Sequence, residues 1–278
     1  MIREESLGDL RKRIKEEKPL IHCITNPISI HDCANIILAA GARPIMAEHP
    51  LEVEEITATA GALMLNLGNI TDVRMESMER SLRTARKAGI PVLLDLVGVS
   101  CSSLRNDFSQ HLLEIGGISV IKGNMSEILT AAGMPSHSTG IDAGTEDALR
   151  GGNFSEVCRA FSGLANRLGC VVMATGPEDL ITDGNETVLV GNGTAKLSEI
   201  TGTGCMLGAL TAAFLPGKDA FLAPLLGAVL MGAAGEMAEK YAKGPGSFQA
   251  ELLDQIYGIG TKELAGMARV RQACCQEK

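Results

Sequence analysis

The chain has 278 residues, 45% of them hydrophobic, with mean hydropathy +0.15, which is enough to bury a sizeable core in one or two domains. A formal net charge of −8 and a pI near 5.2 argue against bulk binding to nucleic acid or to an anionic membrane. Any phosphate ligand must therefore be held locally, by amides, a few cations or a metal, and with 3% aromatics and no Trp a base-stacking platform is disfavoured.

In chain order, "MIREESLGDLRKRIKEEKPL" is charged, unlike a signal peptide, and predicts an exposed amphipathic helix. "PLIHCIT" reads as a strand and "SIHDCANIILAAG" as a helix ending at Gly41. "ARPIMA" is strand-like, and "PLEVEEITATAG" is a helix with acidic residues in its first turn. "ALMLNLG" is a strand, followed by the helix "TDVRMESMERSLRTARKAG", capped by Thr71 or Asp72 and stopped by Gly89. "IPVLLDLVG" and "ISVIKGN" are strands, "MSEILTAAG" a helix. The Gly/Ser-rich stretch 133–153 reads as a surface loop in which "GIDAG" starts a short helix. "FSEVCRAFSGLANRLG" is a helix, "CVVMATG" a strand, and "DLITDGNETVLVG" a hairpin turning at Asp183-Gly184-Asn185. From residue 203 onward the pattern is wholly helical, and the last fifteen or so residues read as a loose tail. The apolar run Ala220–Ala234 is too short to span a bilayer comfortably and reads as a buried core helix.

Continuous apolar strands between amphipathic helices predict an α/β fold, a mostly parallel central sheet with helices on both faces. With no low-complexity linker and no repeat, a single domain over residues 1–278 is the simpler reading. Eight cysteines are scattered, without a CxxC pair or zinc spacing. The expectation is reduced thiols in a cytoplasmic protein.

Open parallel sheets bind ligands beyond the carboxyl ends of their strands. Those ends are His22 to Asn26, Met46, Asn66 to Gly68, Asp95, Lys122 to Asn124, Thr175-Gly176 and Gly202 to Cys205. Almost all are polar or glycine. "TGTGC" opens a helix, whose first amides lack partners and, with the dipole, favour an anion; the plainer reading is a Gly-rich helix start packed on the sheet. It is neither a Walker A loop nor G-x-G-x-x-G. Cys205, at a helix start that lowers thiol pKa values, reads as a nucleophile, a general base or a small apolar residue, and nothing marks a protease triad. Asp95 closes a strand as a cap, a buried ion-pair partner or a metal-shell ligand. In "KGNMSE", Asn124 and Glu127 form a capping-box pattern. The same pair suits hydrated Mg²⁺, with Lys122 meeting phosphate as a point charge. Thr175 and Gly176 suit a phosphate tail or a simple turn.

"PLIHCITNPIS", "RPIMAEHPLEVEE", "LMLNLGNITD", "PVLLDLVGV", "VIKGNMSEI", "ATGPEDLITDG", "ITGTGCMLGALTAAF" and "GPGSFQAELLDQIY", in this order, resemble the hydroxyethylthiazole kinase family of the ribokinase-like superfamily over residues 19–258. The resemblance implies a ribokinase-like fold without a β-lid and an ATP-dependent kinase acting on the hydroxyl of 4-methyl-5-(2-hydroxyethyl)thiazole in thiamine salvage. It implies a homotrimer with thiazole pockets between subunits, so that Asn26 and Met46 face Cys205 from a different subunit. By position, Lys122, Thr175, Asn124 and Gly176 would serve ATP, and Asp95 and Glu127 would organise Mg²⁺ through water. Asn26, Met46, Gly68 and Gly202 would line the thiazole pocket. Gly202, Thr203, Gly204 and Cys205 would form an anion hole, with Cys205 where the superfamily carries a catalytic Asp and with its thiolate favoured by the helix end. Two departures, Leu96 in place of Pro and Lys122 in place of Arg, imply a less rigid Asp95 loop and weaker nucleotide binding, since Lys lacks the guanidinium fork. Hydroxymethylpyrimidine and sugar kinases, the alternatives, would carry Asp at position 205; a non-catalytic binder would have less reason to keep Cys205, Asp95 and Glu127 together.

Overall fold

The structure is a computed structural model that describes residues 4–137, 152–217 and 219–273. Most of the 133–153 loop, the expected short helix at 140–144, and the Cys274-Cys275 pair lie outside the described residues. Behind α1 (Glu4–Glu17), strands and helices alternate as β1 (Leu20–Ile24), α2 (Ile30–Ala40), β2 (Arg43–Ile45), α3 (Val53–Thr59), β3 (Ala62–Asn66), α4 (Asp72–Ala88), β4 (Val92–Asp95) and α5 (Ser103–Ile115). Then come β5 (Val120–Asn124), α6 (Met125–Ala131), α7 (Phe154–Leu168), β6 (Val171–Thr175), β7 (Asp179–Thr182) and β8 (Thr187–Val190). The chain ends with α8 (Thr203–Phe214), α9 (Leu222–Tyr241), α10 (Pro245–Gly258), α11 (Thr261–Met267) and β9 (Val270–Gln272). Nine strands form one sheet in the order β2-β1-β3-β4-β5-β6-β7-β8-β9. The first six run parallel, and β7, β8 and β9 add on antiparallel. Among the described residues every strand belongs to this sheet, so there is no separate lid sheet.

The inner strands are apolar on both sides because both sides are covered. On β3, Ala62 and Met64 join the core formed with α1, α2, α8, α9 and α10, while Leu63 and Leu65 join the core of α4, α5, α6 and α7. Helix α8 is buried from Cys205 to Phe214, so it carries no polar stripe. Helix α9 has the length and composition to cross a membrane, yet 78% of its apolar window is buried inside the protein, packed between α8 and α10. It is the core helix expected at 220–234, extended to Tyr241.

Four expectations change. Helix α1 is docked, not exposed: Leu7, Leu10 and Ile14 are buried, and Arg11 beside them donates to the carbonyls of Ile256 and Ile259 at the end of α10. The pattern names no helix between residues 98 and 118, where α5 forms. Its apolar stripe is only Phe108, Leu112 and Ile115, diluted by a polar first turn, and Ser102 caps it by accepting from the Arg105 amide at 3.4 Å. The chain after residue 203 is not wholly helical, because Val270, Arg271 and Gln272 pair with β8. Residues 270–272, counted in the loose tail, are therefore the edge strand of the sheet; three residues are too few to show period-2 alternation. The hairpin turn falls where read: Gly184 has φ +93°, and the Asp183 carboxylate accepts from the amides of Asn185 and Glu186.

Candidate active site

The parallel strands end along one edge of the sheet, and their last side chains form one hydrogen-bonded chain. Lys122 Nζ on β5 donates to both oxygens of Asp95 on β4, at 3.1 and 3.2 Å. Asn66 Nδ2, at the end of β3, donates to Asp95 Oδ2 at 3.2 Å. Asn66 Oδ1 in turn accepts from Asn26 Nδ2 at 3.2 Å and from the Gly68 amide at 2.9 Å. Asn26 Nδ2 also lies 3.2 Å from Cys205 Sγ on α8, and Asn26 Oδ1 accepts the amides of Ile28 and Ser29. A Cβ on Gly68 would come within 2.9 Å of both Asn26 and Asn66, so this corner requires glycine.

Helix α8 opens at the same edge. Gly202, its cap, has φ +84°, and a Cβ there would stand 3.0 Å from Ser29 Cβ. Gly208, one turn in, lets the helix pass Asp95: its Cβ would fall 3.0 Å from Asp95 Oδ2 and 2.8 Å from Met64 Cε. The Lys122 ammonium lies 4.0 Å from the Cβ position of Gly204, so it stands beside the first turn of α8, whose leading amides have no intrahelical acceptor. Thr203 turns its hydroxyl away, donating to the Leu197 carbonyl at 2.8 Å.

Charge in this corner is set by burial. Asp95 is fully buried and Lys122 is 3% exposed. Burial pushes the Asp95 carboxyl up, against Lys122 and Asn66. Burial would pull Lys122 down, but Asp95, with Cys205 and Glu127 behind it, raises it above its ordinary value. The two shifts pull opposite ways on the pair; the two donated hydrogen bonds decide for the charged form. The Cys205 thiol is raised, by burial first and then by Asp95. This corrects the expectation of a favoured thiolate: the helix end does not outweigh desolvation and a neighbouring carboxylate. Glu127, 4% exposed, accepts from the Gly98 amide at 2.7 Å and the Asn124 amide at 2.6 Å, and burial raises it to about 7. With Asn124 Oδ1 accepting the Glu127 amide at 2.9 Å, the capping box is complete. Among the described residues no three His, Cys, Asp or Glu side chains converge as a metal centre.

Beside this corner opens a cavity of about 540 Å³. Thr175, Gly176, Thr203 and Gly204 form part of its wall, and Leu207, Ala228 and Met231 supply an apolar part. Thr175 Oγ1 donates to the Gly123 carbonyl at 3.3 Å, tying β6 to β5. The structure thus gathers Asn26, Gly68, Asp95, Lys122, Gly202 and Cys205 in one cluster, and places Thr175, Gly176 and Gly204 on the adjoining cavity. Met46 stands apart, half-buried against the core just after β2. One chain brings Asn26 and Cys205 into contact, which corrects the expectation that they face each other from different subunits. His22 is structural: fully buried, it bonds Thr57 Oγ1 at 2.8 Å and the Ala47 carbonyl at 2.9 Å. Asn66 links the two halves of the cluster, a role that its place at a strand end does not specify. Asp179 was also missed; it lines the cavity and accepts from the Gly176 amide at 3.0 Å, and burial raises it to about 7.

A sequence model of the Hydroxyethylthiazole kinase family matches residues 11–262. Hydroxyethylthiazole kinase 2 of Clostridium botulinum (strain Hall) is 50% identical over 250 residues, 90% of this chain and 94% of the relative. Hydroxyethylthiazole kinase of Clostridium beijerinckii is 40% identical over 269 residues, 96% of this chain and 97% of the relative. The solved structure of a hydroxyethylthiazole kinase protein from Pyrococcus horikoshii OT3 superposes with a TM-score of 0.87 at 33% identity, covering 97% of this chain and 99% of that one. A ribokinase-like superfamily protein from Enterococcus faecalis V583, at TM-score 0.60 and 14% identity over 90% of this chain and 93% of that one, shares the fold. With the strand-end cluster and the helix-capped cavity in place, these matches mean that the chain belongs to the hydroxyethylthiazole kinase family.

Proposed function

We propose that this chain transfers the γ-phosphoryl group of ATP to the primary hydroxyl of 4-methyl-5-(2-hydroxyethyl)thiazole, as a step of thiamine salvage. One observation carries the reading beyond the family. The start of α8 stands between the two halves of the site: Thr203 and Gly204 line the 540 Å³ cavity, the Lys122 ammonium lies 4.0 Å from the Gly204 Cβ position, and Cys205 meets Asn26. ATP fits the cavity, with Thr175, Gly176, Asn124 and Lys122 toward its phosphates. The thiazole alcohol fits the corner of Asn26, Gly68 and Gly202, with Met46 beyond. As the alcohol oxygen bonds to phosphorus and the bond to the β-phosphate oxygen breaks, charge on the equatorial oxygens meets Gly204, Cys205 and Lys122. Cys205 holds the alcohol and takes its proton only when deprotonated. With its thiol raised, that state gains population as pH rises.

Magnesium belongs to the same proposal, in which it would neutralise phosphate charge. Asp95 and Glu127 have every oxygen in a protein hydrogen bond already. Each carboxylate still has lone pairs for water donors, so both would meet the ion through its waters. Assembly as a homotrimer and a cytoplasmic location are further parts of the reading. Exposed Ile28 (61%) and Leu51 (81%) flank Asn26 and Met46 in sequence and offer a neighbouring subunit an apolar surface. Among the described residues no cysteine is paired in a disulfide. An ADP-release assay with the thiazole alcohol, with and without Mg²⁺, tests the function. Release that does not depend on the alcohol would sink it, and a hydroxymethylpyrimidine or a sugar as the better acceptor would favour the alternatives. Sedimentation at assay concentration tests the assembly; an active monomer would exclude a shared site.

A further inference from the structure

The cavity wall at residues 191–194 has no regular structure of its own. It spans from the end of β8 to a short 3-10 turn at Ala195–Glu199, and Asn192, Gly193 and Thr194 face the cavity. Gly193, at φ +145°, occupies a conformation that other residues rarely adopt. What fixes this wall comes from the end of the chain. Arg269 donates to the Gly191 carbonyl through Nε at 3.0 Å and Nη2 at 2.8 Å, and its backbone amide donates to Asn192 Oδ1 at 2.8 Å. Asn192 Nδ2 donates to the Met267 carbonyl at 2.9 Å. Glu236 on α9 closes the ring: Oε1 accepts the Gly193 amide at 2.7 Å, and both carboxylate oxygens accept from the Arg269 guanidinium. Beside it, Arg271 Nη2 reaches Glu178 at 2.9 Å, between cavity residues Pro177 and Asp179. From behind, α9 presses on the same wall, since a Cβ on Gly232 would meet the Asn192 backbone at 2.5 Å.

We infer that the segment 267–271 is a clamp that shapes the nucleotide cavity, and that Arg269 is its positioning residue for ATP. Arg269 is not itself a lining residue; it acts through the Gly191 carbonyl, through Asn192 and, by way of Glu236, through the Gly193 amide. The clamp lies outside the residues 11–262 that the family model matches. Ion pairing alone would not require it. Arg269 is 53% exposed, so its pairing with Glu236 adds little to stability. The geometry of the donors matters more, because a planar guanidinium joins a carbonyl and a carboxylate on two separate elements. The inference rests on the cavity being the nucleotide's.

The test measures ADP affinity by calorimetry in excess Mg²⁺, KM for both substrates, and melting temperature. Arg269→Ala should raise the ADP Kd and the KM for ATP about five- to twenty-fold, leaving the KM for the thiazole alcohol within two-fold. Arg269→Lys, which keeps charge but not the fork, should recover little. Glu236→Gln, which keeps an oxygen for the Gly193 amide, should fall between. Ala228→Phe, which fills the cavity, should abolish ADP binding. If Arg269→Ala lowers only the melting temperature while Ala228→Phe blocks ADP, the clamp inference fails and the cavity assignment stands. If ADP still binds the Ala228→Phe variant at wild-type affinity, the cavity assignment fails and takes the clamp with it.

Discussion

Replacing Asp95 by Asn would leave the Lys122 ammonium buried at 3% exposure with its counter-charge gone. The ammonium now makes two hydrogen bonds to the carboxylate, at 3.1 and 3.2 Å. The asparagine amide offers one oxygen, and its NH₂ group must face either the ammonium or the Asn66 NH₂, both donors. Removing one partner of a buried pair costs about 3–5 kcal/mol, because the surviving charge stays desolvated. For a chain of this length, about 2 °C of melting temperature accompanies each kcal/mol, so Asp95→Asn should melt about 6–10 °C lower. Lys122→Met alone strands the carboxylate and should cost a similar amount. The double variant removes both charges at nearly constant volume and should recover most of the loss, so that the coupling in a double-mutant cycle by urea unfolding exceeds the cost of either single variant. Activity should stay lost in all three. Single variants that each cost under about 1 kcal/mol, or costs that simply add, would refute the buried ion pair as drawn.

Cys205→Ala should slow turnover with KM for the alcohol nearly unchanged; full activity would leave Cys205 a packing residue. The raised thiol places the rising limb of the kcat–pH profile above neutrality, and Cys205→Asp should move that limb to lower pH; a profile indifferent to the substitution would exclude proton acceptance at position 205. Gly208→Ala should destabilise by about 1–3 kcal/mol, because its methyl group meets Asp95 and Met64; denaturant unfolding reads this directly, and a neutral effect would contradict the close passage of α8. Glu127→Gln should shift the Mg²⁺ midpoint of activity upward; an unchanged midpoint with only a lower melting temperature would leave the capping box as its whole role.

Strands β1 and β3 to β6 were readable because burial on both faces makes them short apolar runs closed by polar or glycine residues. Asp95, Lys122 and Asn26 were readable for a related reason: a polar residue ending an apolar strand faces the sheet edge where ligands bind. Helix α5 was not, since Phe108, Leu112 and Ile115 make too narrow a stripe against Arg105, Asn106 and Asp107. Strand β9 was not, because its three residues draw their order from pairing with β8. The thiol was misjudged for a different reason. A helix start predicts a lowered pKa, but burial and the distance to Asp95 are tertiary quantities, and both push the other way. The same limit applies to Arg269, whose partners Gly191 and Glu236 are 78 and 33 residues away.

The buried pair also explains how a lysine can serve where the family resemblance leads one to expect arginine. An unpaired lysine at 3% exposure would tend to lose its proton and with it any use to a phosphoryl group. Asp95 keeps that proton in place, raising Lys122 instead. The ammonium is thereby held at the amide end of α8 before substrate arrives, and Asn66 and Asn26 carry the same rigidity across to the sulfur of Cys205. Preorganised donors need no rearrangement as charge develops, which is where a kinase with little covalent chemistry of its own gains most. On the proposed reading, one ammonium held by two hydrogen bonds on the Asp95 carboxylate would stand in for the guanidinium fork on phosphate.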